Sequence, residues 1–423
     1  MTERLLQFIW QFQYFNKQAL ETVSGEKLEV VFAGEWNKNQ GPDFKQARIK
    51  IGETLWAGEV EIHLKASDWA KHHHTNDTNY SKIVLHVVWE NDIPVKDATG
   101  LAIPALELSS RVSNLLLGRY QGWMEVLQPI ACSSDIAAVP PLTWASWKSR
   151  LVIERLQGKS EHIFQLLYST NNNWEEVFWR LLCRYFGAPV NSESFEQLAA
   201  SLPLNVLAKH KSQLHQVESL LLGQAGLLQK QYSDHYPLLL QREYKFLQQK
   251  HQLVMVTKFP VFLRMRPANF PTVRLAQLAM LIHQSVHLFS QIKEATEEKS
   301  VRLLFNVTAN DFWNYHFKIE EESAYQSKDT GDQFIDMLLI NVVCPTLFAY
   351  GKYMKEDKYC DKAIAWLEAL HAEKNGITKS YTSLWVENKT AFDSQALLHL
   401  RKNYCDEKRC LECAIGNSIL KRS

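Results

Sequence analysis

A chain of 423 residues is long enough for two or three domains of roughly 150 residues each and for a sizeable buried core. With 46% apolar and 22% charged residues it falls outside the disordered, collagenous and disulfide-scaffold classes. Forty-seven Lys and Arg against 46 Asp and Glu leave a formal net charge of +1, so any surface for nucleic acid has to be local.

The opening segment, MTERLLQFIWQFQYF, lacks a basic leader, a continuous apolar stretch and a small-residue cleavage site. The longest apolar runs, such as Leu275–Ile282, are broken by Gln277 and His283, well short of a membrane span. A cytoplasmic protein without a membrane partner is therefore expected. Short β-rich runs come first, at Leu28–Phe32, Ala47–Ile51, Leu55–Leu64 and Lys82–Trp89, separated by Gly, Pro and Asn. Beyond residue 115 the apolar spacing turns helical, over Leu142–Leu156, Trp174–Phe186, Val206–Leu228, Val273–Ile292 and Gln333–Val343. The expected class is α+β, with a mixed sheet domain over 1–115, a linker over 116–141 ending in Pro140-Pro141, a large helical domain over 142–385 and a Cys-rich tail over 386–423. Proline-marked joints at Phe259-Pro260 and Arg266–Pro271 divide the helical part again. Through Ser110 there are 11 Lys and Arg against 15 Asp and Glu, leaving 36 against 31 beyond, so an anionic partner would lean on the helical part.

The segment Gly58–Lys65, GEVEIHLK, alternates Val60, Ile62 and Leu64 with Glu59, Glu61, His63 and Lys65. A solvated outer face is the plain reading of that polar set. Its neighbours argue for more. Asp43 lies in the sharp turn Gly41-Pro42-Asp43-Phe44; Asp68, His72, His73, His74 and Asp77 follow the segment, and His86 sits in the next run. Taken singly, Asp43 reads as a turn residue, the adjacent histidines as a solvated loop and His86 as a core histidine. Jointly, carboxylates and imidazoles on adjacent strands are how a divalent ion is held, oxygen ligands suiting Mg or Mn and imidazole admitting Zn, Mn or Fe.

A helix, a strand, a Pro-Asp turn, a strand, then a strand carrying Glu-x-(Lys or similar) resembles the PD-(D/E)XK nuclease superfamily. That resemblance implies Asp43 and Glu61 as metal carboxylates, with Glu59 as an alternative, and a divalent Mg or Mn ion. His63 stands where the superfamily has lysine, and Lys65 lies one alternation further on. The histidine-rich stretch is also similar to very-short-patch-repair-type nucleases, in which histidines assist metal-water chemistry. Over nearly the whole length, the motifs Asn37-x3-Gly41-Pro42-Asp43-Phe44, Gly58-x-Val60-Glu61-Ile62-His63, His72-x-His74-x2-Asp77-x2-Tyr80, Leu85-His86-Val87-Val88, Arg266-Pro267-x-Asn269-Phe270-Pro271-x2-Arg274-Leu275-Ala276 and Cys410-x2-Cys413-x-Ile415-Gly416 resemble an uncharacterised bacterial family of unknown function.

In the helical part, Arg264, Arg266 and Arg274 flank a proline turn, with Thr272 placed to cap the following helix. They form either an anion site for a phosphate or ion pairs with structural carboxylates. The tryptophans Trp144, Trp147, Trp174 and Trp179 read as core.

Seven cysteines, an odd number without an export signal, point to free thiols and a metal site rather than disulfides. Cys405, Cys410 and Cys413 fall within nine residues beside Lys408 and Arg409. C-x2-C lets one turn present two sulfurs to a metal, zinc or an iron-sulfur cluster. The fourth ligand is left among His399, Cys360, Cys344, Cys183 and Cys132. The tail resembles the cysteine clusters of iron-sulfur repair glycosylases and iron-staple nucleases, with different spacing.

The function expected is that of a metal-dependent, nuclease-like phosphodiesterase acting on DNA or RNA. Asp43 and Glu61 hold the ion, His63 or Lys65 serves the attacking water, His72, His74 or His86 assists, and Arg264 and Arg266 contact phosphates. Two alternatives stay open: a non-catalytic nucleic-acid-binding or scaffold protein with a degenerate site, and a zinc hydrolase of a small substrate.

Overall fold

The computed structural model describes residues 1–37, 39–285 and 287–422. They divide into two units, Met1–Trp147 with Leu400–Ser423, and Lys148–His399. The class is α+β, a mixed sheet near the N-terminus being followed by a mainly helical region.

In the first unit, Thr2 caps helix α1 (Glu3–Phe12) by accepting the Leu5 N–H. The apolar spacing of Leu5, Leu6, Phe8 and Ile9 buries one face of α1, which packs on strand β4. Strands β1 (Leu28–Phe32), β2 (Glu35–Trp36), β3 (Phe44–Ile51), β4 (Thr54–Lys65), β5 (Ile83–Glu90) and β6 (Ala105–Glu107) form one sheet. Its order is β1-β3-β4-β5-β6, with β2 also pairing β3. The pairs β1/β3 and β3/β4 are antiparallel, whereas β4/β5 and β5/β6 are parallel. The short helix α2 (Asp68–Lys71) and two 3-10 turns, His74–Asn76 and Thr78–Tyr80, make the crossover from β4 to β5.

Two details fix the register that matters. Gly41 has φ 101°, which lets the chain turn sharply into Pro42-Asp43. Asn37 locks that turn, its backbone N–H reaching Asp43 O at 2.7 Å and its side chain reaching Pro42 O at 2.9 Å. Phe44 then pairs with Val60, which sets Asp43 opposite Glu61. On the other side of β4, the parallel register places Glu61 beside His86.

Several expected boundaries shift. The segment expected to be a linker is largely structured: helix α3 (Asn114–Glu125) runs into it from just before its start, and Leu116, Trp123, Ile130 and Ile136 are buried in the first unit. The tail expected over 386–423 does not stand alone: residues from Leu400 belong to the first unit and those up to His399 to the second. In the second unit the run expected over 206–228 breaks into Leu204–His210 and Leu214–Gln224, with Gln213 extended between them. The run expected over 273–292 becomes Pro271–Gln284 and Leu288–Glu294, because His287 takes φ 50°.

One helical stretch, Asp332–Met354, is long and apolar enough to cross a membrane, although the separate runs in the sequence were read as too short. Seventy-two per cent of its most apolar window is buried within the protein, as in a core helix. A π-turn over Leu339–Val343 widens it just before Pro345, whose missing N–H cannot bond back one turn. Trp147 and Trp179 are buried as expected of core, whereas Trp144 and Trp174 are half-buried.

Candidate metal centre

Glu61 and His63 alternate onto one face of β4, and that face is covered. Glu61 is 6% and His63 1% exposed, which excludes the solvated outer face. Asp43 and Glu61 clasp each other across β3 and β4: the Asp43 N–H donates to Glu61 Oε2 at 3.0 Å, and the Ile62 N–H donates to Asp43 Oδ2 at 3.1 Å. Gln7 of α1 donates to Asp43 Oδ1 at 2.9 Å. The other Glu61 oxygen, Oε1, faces imidazoles, 3.4 Å from His74 Nε2 and 3.6 Å from His63 Nε2.

The imidazoles form a chain. His63 Nδ1 lies 2.8 Å from His86 Nε2, and His63 Nε2 lies 3.1 Å from His72 Nδ1. Trp69 meets His63, His74 and His86 edge-on, and Tyr80 stacks on His74 with ring centroids 3.8 Å apart, so the rings are held by packing. Among the described residues, His63, His72 and His74 form the one set of three His, Cys, Asp or Glu side chains whose ligand atoms all lie within 4.8 Å of one another.

Electrostatics at this site favour a cation. Burial pushes Asp43 up to about 6, with Gln7 pulling the other way. Burial and then the neighbouring Asp43 push Glu61 up to about 9. A buried carboxylate beside a half-buried one does not leave both ionised without a compensating positive charge. The imidazoles do not supply it: burial, with His86, His72 and His74 adding to it, lowers His63 to about 3, and burial lowers His86 to about 4. Neutral imidazoles are ligands, not counter-ions. His74 Nε2 and His86 Nδ1 are both buried without a hydrogen-bond partner. An orphaned ring nitrogen beside a carboxylate oxygen and two further imidazoles is a donor set that fits a divalent ion.

The structure thus brings together Asp43, Glu61, His63, His74 and His86 of the sequence candidates, with His72. It does not bring Lys65 in. Lys65 lies at the end of β4, half-exposed, and pairs with Glu90 at 3.2 Å. Asp68 accepts the Lys65 N–H and pairs with Lys71, and Asp77 caps a 3-10 turn, so neither belongs to the centre. His73 is exposed with φ 60°.

Arg264, Arg266 and Arg274 all belong to the second unit. Arg264 and Arg266 are exposed, but Arg274 is buried. Its guanidinium stacks 3.6 Å from the Phe334 ring centroid and donates to Gln277 and Asn269, which leaves it no face for a phosphate. Thr272 does not cap its helix; its hydroxyl donates to Phe317 O, and Phe270 occupies the cap position. Gln7, which reaches Asp43, and Tyr80, which stacks on His74, were not singled out from sequence as site residues. An amphipathic helix gives no sign of which polar residue turns inward.

Over residues 3–376 the chain matches the family described as "Protein of unknown function (DUF2851)", and it belongs to that family. No curated protein and no solved structure matches it.

Proposed function

For this member of a family without an assigned activity, we propose a metal-dependent phosphodiesterase that cleaves nucleic acid, working as a soluble cytoplasmic enzyme. The observation that carries the reading is Asp43 clasped to Glu61 across adjacent strands, with three imidazoles closing the same site. The order helix, strand, Pro-Asp turn, strand and strand carrying Glu61, on which the nuclease resemblance rests, supports the same reading.

Glu61 Oε1, His63, His72 and His74 are the groups that would hold the ion, and Asp43 orients Glu61 from behind or joins the ligands. Manganese fits this mixed oxygen and imidazole set better than magnesium. When bound, the ion supplies positive charge at the phosphoryl oxygens and an activated water. His63 takes the lysine position of the resemblance, but as a buried neutral ring it provides a lone pair and no charge. Tyr80 and Trp69 keep the rings from turning away.

In the test, the full chain is loaded with manganese or magnesium and given single- and double-stranded DNA and RNA. Cleavage is expected, falling about 100-fold or more in Glu61→Ala and Asp43→Ala. Lys65→Ala should be unaffected. Wild-type protein that cuts nothing with any metal, yet binds nucleic acid, would favour the scaffold reading. A second catalytic reading is favoured by the purely imidazole set within 4.8 Å, which suits zinc. Hydrolysis of small phosphoesters or amides with zinc, and no action on nucleic acid, would establish it instead.

A further inference from the structure

We propose that Cys132, Cys405, Cys410 and Cys413 together bind a [4Fe-4S] cluster, which joins the two separate stretches of chain that make the first unit. Cys132 comes from the turn after α3, and the other three come from the returning tail, so the ligand set spans both stretches. The tail is seated on that region by independent contacts. Arg119 donates to Ile419 O at 3.3 Å, Arg422 donates to Ala138 O, Lys408 donates to Met124 O, and Tyr14 and Asn417 meet at 2.5 Å. The Cys132 thiol lies within electrostatic reach of all three tail thiols. Of the other ligands left open by the sequence, Cys183, Cys344, Cys360 and His399 all belong to the second unit.

None of the four is in a disulfide; Cys132 and Cys413 are buried, and Cys405 and Cys410 are half-buried. The tight approach of Gly416, where a Cβ would lie 2.3 Å from Cys410 O, holds the start of the helix Ala414–Leu420 against the C-x2-C turn.

Spacing selects the cluster over zinc. A Zn(Cys)4 tetrahedron with Zn–S bonds of about 2.3 Å needs its sulfurs about 3.8 Å apart. Among the described residues no three cysteine sulfurs all lie within 4.8 Å of one another. A cubane takes one thiolate on each of four irons, at the corners of a wider tetrahedron, and is compatible with that separation.

The full chain, purified without oxygen, should be brown and carry about four iron and four acid-labile sulfide per chain. Dithionite should bleach it and give an electron paramagnetic signal. Cys132→Ala should lose colour, with acid-labile sulfide falling to the buffer blank, while its helical circular dichroism stays that of the wild type; Cys360→Ala, in the second unit, should keep both colour and sulfide. Stoichiometric zinc without sulfide, or a colourless protein free of iron after anaerobic reconstitution with iron and sulfide, would overturn the proposal. Full iron in Cys132→Ala would overturn the assignment of the fourth ligand. The colour and the acid-labile sulfide do not depend on the metal centre at Glu61.

Discussion

Glu218 in the second unit is fully buried, and three donors converge on its carboxyl. Tyr236 Oη lies at 2.6 Å from Oε2; Asn310 Nδ2 at 2.6 Å and Trp313 Nε1 at 3.2 Å share Oε1. Burial still dominates and pushes the group up to about 7 from its ordinary 4.5. The folded state therefore holds a proton that the unfolded chain releases, and the associated stability is complete below pH 4.5 and lost as pH rises through about 7. That gap is worth roughly 3 kcal/mol. The melting temperature of wild type relative to Glu218→Gln should fall between pH 5 and pH 8, since glutamine fills the same space without titrating. A difference that stays flat or rises over that range would sink the argument. At this scale the sequence was only partly informative. Asp43, Glu61 and the histidines were legible because a Pro-Asp turn and strict alternation leave few ways to place them. Lys65 was misplaced by the same alternation: it shares the face of Glu61, but lies past the covered part of β4, where Glu90 and water take it.

The parallel pair β4/β5 is the element on which the metal centre depends, because its register sets Glu61 beside His86. Gly58 lies at its start, where an added Cβ would sit 2.4 Å from Val84 Cγ1 and 2.5 Å from Lys82 O. Gly58→Ala must therefore push the two strands apart. A destabilisation of about 1–3 kcal/mol is expected, measured by urea unfolding, together with weakened metal binding in titration calorimetry. Unchanged values for both would show that the strands are not held by this contact. The four principal strands were visible as β-rich runs. Strands β2 and β6, of two and three residues, fall below what alternation can reveal, and the direction of β5 follows from a crossover that only tertiary packing selects.

The first unit is assembled from two stretches of chain separated by the whole of the second. No local pattern marks that arrangement, which is why the stretch over 386–423 reads from sequence as a separate tail. The returning stretch buries Ile415, Ile419 and Leu420. At roughly 1.5–3 kcal/mol each, their loss approaches the 5–15 kcal/mol that holds a typical domain together. A chain ending at His399 should keep a protease-resistant Lys148–His399 core while Met1–Trp147 is digested, as read by limited proteolysis and mass spectrometry. Equal resistance of both parts would show that the tail is dispensable. Synthesis imposes the same truncation on every copy for a time. At about 5–20 residues per second, the ribosome needs on the order of 10–50 s to pass from Trp147 to Leu400. Throughout that interval α3 and the turn at Ile136–Ala138 lack the helix that packs on them, so the nascent first unit waits with an apolar surface open to chaperones while the second folds ahead of it.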